Sequence, residues 1–222
     1  VFKTQAERVR FKDLMNSFEK RAKDSKLTPE QAALTFHHVR RLLEAGDGSM
    51  VPAELRKDLA EQILNQAARP RLISQGTNNT CNVTTLERRI FTRNPDEAAR
   101  LIADAATTGK YVAADGRIVD LTRVPGALTP DAQSSQLLAR QFMSGNADLA
   151  VDGMRTYASQ VFETAAVNVK YAQAGTNPEV VLYRKRPGLP GQEREELIKF
   201  SRNWIDGALD QQVIGDAPSI NT

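Results

Sequence analysis

Apolar residues recur at helical spacing from the start of the chain. Val9, Phe11, Leu14, Met15 and Phe18 fall on one face between Lys, Arg and Glu, which predicts a helix from Phe2 to about Lys23. Thr28-Pro29-Glu30-Gln31 has the chemistry of a helix start: Thr as N-cap, Pro in the first turn, Gln at the third position. This helix should run to Glu44 or Ala45, where Gly46-Asp47-Gly48 stops it. "VPAELRKDLAEQILNQA" predicts a third helix, with Leu55, Leu59, Ile63 and Leu64 on one face and Pro70 beyond its end. The first 70 residues therefore read as helical, with their charges outside.

The periodicity then changes twice. "NVTTLERRIF" places Val83, Leu86, Ile90 and Phe91 on one side of a short helix, and Asn94-Pro95-Asp96 opens another that Gly109 ends. "KYVAADGRIVDL" alternates, with Asp115-Gly116 in the middle, which predicts two short strands in a hairpin. Thr129-Pro130-Asp131 opens a further helix. The segment Met154 to Tyr171 is apolar on nearly every side and predicts a central, buried helix. "EVVLYRK" reads as a strand, "RPGLPGQ" as a loop and "EREELIKFSRNWIDGALD" as a last helix carrying Trp204.

The expected fold is mainly α with a small β part (α+β). It divides into a helical N-terminal region, 1–70, packed on a second unit, 71–222. A start without Met and a polar "GDAPSINT" tail suggest a fragment or a processed product, incomplete at the C-terminus. A formal net charge of +3, interspersed with acids, gives no basis for a nucleic-acid partner. No apolar run is long enough for a membrane span. These features suggest a soluble protein, cytoplasmic or secreted. One Cys and two His leave no metal-ligand set, and no cofactor motif is present.

The chemistry concentrates in "SQGTNNTCNVTTLE", Ser74 to Glu87. It contains the only cysteine, Cys81, with Gln75 six residues before it and a helix pattern after it. Thiolate is the nucleophile, and the unpaired N–H groups of a helix N-terminus favour it. The Gln75 amide and the Cys81 N–H could together hold an oxyanion; one such donor is worth roughly 3–4 kcal/mol in the transition state. The catalytic candidates are Cys81 and Gln75, with Gln75 pointing toward the sulfur. The competing reading is a lone packed thiol, since free Cys is usually buried and inert.

Gln75-Gly76-Thr77-Asn78-Asn79-Thr80-Cys81 resembles the active-site segment of papain-like cysteine peptidases and their relatives, which include calpain-like and bacterial effector peptidases and glutamine deamidases. The Gln-Gly pair and the six-residue spacing are those of the superfamily, over about 15 of 222 residues. The resemblance implies a helical lobe over 71–222 and a thiol hydrolase or acyl-transferase, of a kind that a bacterial effector or toxin carries. Its substrate would be a protein or peptide. Asn82 replaces the usual aromatic after the Cys, and Asn78-Asn79 replaces a Gly-containing turn. No His follows Cys81, so the general base would lie outside these 222 residues. In ubiquitin-like-protein peptidases the His precedes the Cys, an order that would enlist His37 or His38, although both sit in a helical pattern. The alternative class is a non-catalytic helical binding or scaffold module with a structural Cys81, its apolar helix covered by a partner chain or an absent C-terminal lobe.

Overall fold

Thr4 and Thr28 start the first two helices by the same device. In the computed structural model, which describes residues 2–76, 80–123, 126–144 and 153–173, each threonine hydroxyl accepts the backbone N–H three residues on. The side chain of that third residue, Glu7 or Gln31, returns the bond to the threonine N–H. Such reciprocal caps satisfy donors that a helix start otherwise leaves open, and removing one costs about 1 kcal/mol. They fix α1 (Gln5–Asp24) and α2 (Pro29–Glu44). α3 (Ala53–Ala68) follows, then a 3-10 turn at Pro70–Leu72.

α4 (Cys81–Arg93) and α5 (Pro95–Thr108) come next. Gly109 ends α5 in the left-handed region at φ 70°. A Cβ there would press within 2.6 Å of the Thr122 methyl and 2.8 Å of Met50 Cγ, so the position requires glycine on two counts. The predicted hairpin follows as β1 (Lys110–Val112) and β2 (Ile118–Asp120), antiparallel, with Tyr111 opposite Val119. α6 (Ala132–Ser144) and α7 (Tyr157–Gln173) complete the described elements. The architecture is mainly α with one two-stranded sheet.

α2 lies against α5 and α3, α1 against α3, and α4, α5 and α3 all meet α7. One core runs through these contacts and joins the two expected units. It includes Phe18 and Leu42 from α1 and α2, Leu59 and Ile63 from α3, Phe91 and Leu101 from α4 and α5, and Phe162 from α7. α7 is the central helix that its all-round apolar pattern predicts, buried continuously from Tyr157 to Val169.

α3 departs from its expected one-faced form. Glu61, Gln62, Asn65 and Gln66 are buried along with the leucines, because α1, α2 and α7 cover it from several sides. Charge at this helix is therefore inside as well as outside. The predicted strand, loop and last helix after residue 173, with Trp204, lie outside the described residues. Among the described residues no helix is long and apolar enough to cross a membrane.

Candidate functional site

Cys81 is the first residue of α4, and its side chain is exposed. Its thiol donates to Asn82 Oδ1 at 3.3 Å. Thr80, at the N-cap, makes no side-chain cap. Its buried hydroxyl instead lies 3.4 Å from Thr84 Oγ1 and reaches the Glu163 carboxyl on α7. The residue type that normally closes a helix start is thus turned inward, toward the core.

The other end of the loop is held separately. Ser74 Oγ donates to the Gly153 carbonyl at 2.9 Å and accepts Gly76 N–H at 3.1 Å. Gly76 has φ 60°, in the left-handed region that favours glycine, and the flexible amide end of Gln133 on α6 lies where a Cβ would point. Gln75 is half-buried. Among the described residues no hydrogen bond joins it to Cys81, and residues 77–79 between them lie outside the description.

Behind this loop is a buried polar cluster that the sequence pattern does not announce. Glu163 Oε2 accepts Arg155 Nη1 at 2.7 Å, and its Oε1 accepts the Thr84 hydroxyl at 3.0 Å. Arg155 Nη2 pairs with Asp131, and the Arg155 N–H donates to Gln133 Oε1 at 3.2 Å. Asp131 in turn caps α6 by accepting Ser134 N–H at 2.8 Å. Beside them, Glu87 Oε1 accepts Ser159 Oγ at 2.7 Å and Gln66 Nε2 at 3.2 Å. Arg155, Glu163 and Glu87 are each fully buried.

Burial pushes both glutamates above the ordinary carboxylate range. Glu87 goes furthest, because the Glu163 charge adds to its desolvation, whereas Arg155 draws Glu163 back. Two residues could have signalled this cluster. Glu87 sits on the same stripe as Val83, Ile90 and Phe91, and Glu163 interrupts the all-round apolar run of α7.

His37 and His38 do not join the cysteine. Their rings meet edge-on, at 5.3 Å between centroids, midway along α2, with His37 exposed and His38 half-buried near Arg100 of α5. Burial and the nearby Arg41 charge lower His38 to about 4. No hydrogen bond among the described residues joins either ring to Cys81. Among these residues no group of three or more His, Cys, Asp and Glu could hold a metal ion.

A groove of about 590 Å³ opens between the start of α1, α3 and α6, lined by Arg10, Leu43, Lys57, Asp58, Leu138 and Phe142 among others. Phe142 is 92% exposed. Burial raises Asp58 to about 6, above its ordinary 3.8. The folded chain therefore holds this proton longer than the unfolded chain does. Asp58 costs stability as pH rises from about 4 to 6 and keeps that cost above it. Asp58→Asn is expected to raise the urea midpoint at pH ~7.5 and to leave it unchanged near pH ~4; an equal gain at both pH values would show that the carboxyl's charge is not what matters.

Comparison of the chain with protein-family models, with curated proteins and with solved structures returns no match.

Proposed function

We propose that this chain carries the nucleophile-bearing helical lobe of a papain-like thiol hydrolase or acyl-transferase, with Cys81 as nucleophile. The observation that carries the reading is an exposed thiol on the first residue of a helix whose next turn is locked into the core. In this reading the Cys81 thiolate attacks the carbonyl of a peptide bond or of a glutamine side chain. The Cys81 N–H and the Gln75 amide stabilise the oxyanion. The C–N bond breaks, the amine leaves with a proton, and water or an acceptor amine resolves the thioester. The base that takes the thiol proton is supplied from outside these 222 residues, as no His follows Cys81. An effector or toxin acting on proteins is a host that suits such a module.

The test is chemical and needs no substrate. Iodoacetamide at pH ~6.5 should alkylate Cys81 in the folded chain several-fold faster than in the urea-unfolded chain, because a helix N-terminus stabilises thiolate. A folded-state rate at or below the unfolded one sinks the reading. Cys81→Ala should shift stability by no more than about 0.5 kcal/mol, since an exposed side chain gives up little packing. A loss of about 2 kcal/mol in urea denaturation would instead make the cysteine structural.

The second reading, a non-catalytic binding module, draws on the groove between α1, α3 and α6 and on the exposed Phe142 at its edge. It predicts an ordinary thiol and a partner whose binding is lost in Phe142→Ser.

A further inference from the structure

We propose that the groove between α1, α3 and α6 binds an organic ammonium ion, its charged head on Asp58 and its apolar arm along Leu43, Leu138 and Phe142. The proposal takes up the groove of the binding-module reading and names its ligand, and it stands whether or not Cys81 reacts.

The charges of the groove are set by helical spacing. Glu54, Lys57, Asp58 and Glu61 share one face of α3 and line the groove. From α1, Glu7 takes Lys57 at 2.6 Å and Arg10 takes Glu61 at 2.9 Å. Asp58 is left over. Among the described residues it has no hydrogen bond and no ion pair. The cations that face it are Lys57 and Arg10, the anions Glu61 and Glu7, and each of these four is engaged with another. The α2 and α6 walls contribute Leu43, Leu138, Gln141 and Phe142, none of them charged. The remaining charges of the lining, Lys3 and Glu54, are both exposed and opposite in sign. One negative charge is thus uncompensated, on a carboxyl largely withdrawn from water. A carboxyl kept in a cleft at this cost is a candidate for binding.

The opposite wall supplies the apolar contact. Gln141 accepts Gln62 Nε2 at 3.1 Å, which fixes α6 against α3. Phe142, beside it, is left almost wholly exposed, and Leu138 lies one turn before. The volume of about 590 Å³ falls within the roughly 300–1,000 Å³ of small-ligand sites. An anion would meet cations that are already paired and a carboxylate that is not. A metal ion would find a single free carboxyl, with no metal-binding group of His, Cys, Asp and Glu among the described residues. A purely apolar ligand would desolvate Asp58 further and leave its charge unmet.

The experiment titrates phenethylammonium, and phenethyl alcohol as its neutral counterpart, into the full chain and follows the amide chemical shifts of α3 and α6. At pH ~7.5 the amine should bind about tenfold more tightly than the alcohol, through a charge-assisted hydrogen bond. Asp58 ionises near 6, so it is about one-tenth charged at pH ~5, where amine binding should be about tenfold weaker. The amine itself stays protonated at both pH values. Asp58→Asn should abolish both the preference for the amine and its pH dependence. Phe142→Ser, at an exposed position, should weaken both ligands without disturbing the fold. Glu54→Gln, an exposed acid of the same lining, should leave binding within about twofold of wild type.

Equal binding of amine and alcohol, equal binding to wild type and Asp58→Asn, or no shift from either ligand overturns the proposal. A thiol that reacts fast would instead end the reading as a non-catalytic module and leave the groove's ligand as it is. A capped Phe-Lys dipeptide presents the same ammonium on a peptide. Tighter binding of the dipeptide than of phenethylammonium makes a lysine side chain the source, and weaker binding makes it a free amine; either order supports the site.

Discussion

Arg155→Met should destabilise the folded chain by about 3–5 kcal/mol, the usual cost of stranding the partner of a buried ion pair. Glu163 is fully buried, and its only charged partner of opposite sign among the described residues is Arg155. Asp131, mostly buried, loses the same guanidinium. The surviving carboxylates would have to take up protons or open the core to water, and either response is unfavourable at neutral pH.

The double variant Arg155→Met with Glu163→Leu should recover most of the loss. It exchanges the pair for apolar side chains of similar bulk and leaves only Asp131, which keeps the Ser134 N–H. Urea denaturation of both variants at pH ~7.5 checks this. Recovery in the double variant marks an ion pair whose separated charges are the cost. A double variant no better than the single one would mean that the hydrogen bonds to Thr84 and Asp131 matter more than the charge.

The course of the backbone was readable wherever a local chemical rule decides it. Thr28-Pro29-Glu30-Gln31 makes the cap that its spacing predicts, Gly109 ends α5, and Asp115-Gly116 turns the hairpin, because each involves atoms a few residues apart. The pairing within the polar cluster was not readable, because partners such as Thr84 and Glu163 are 79 residues apart in sequence and meet only after α4 and α7 pack. Glu61, Gln62 and Gln66 on α3 show the limit most clearly. Periodicity assigns them to solvent, and three neighbouring helices place them inside. In the candidate site, Cys81 was found by residue type and spacing, whereas Arg155 and Glu163 behind it needed the tertiary fold.

Glu87→Gln should turn a pH-dependent penalty into a flat one. Glu87 and Glu163 face a single guanidinium that also serves Asp131, so ionising Glu87 would set three carboxylates around one positive charge in a buried site. Burial and the Glu163 charge hold the Glu87 proton well above the pH at which an unfolded glutamate loses it. The sign follows. The folded chain binds one more proton than the unfolded chain above the ordinary value of 4.5, so wild-type stability declines with rising pH by up to about 1.4 kcal/mol per unit until Glu87 ionises in the fold. The amide of the variant has no proton to lose and keeps the acceptor that Ser159 and Gln66 address. Wild type and Glu87→Gln should therefore have similar urea midpoints near pH ~4.5 and separate as the pH rises above it, with the variant more stable. Parallel curves across that range would mean that Glu87 is charged in the folded state, and that the buried cluster holds more negative charge than Arg155 alone can offset.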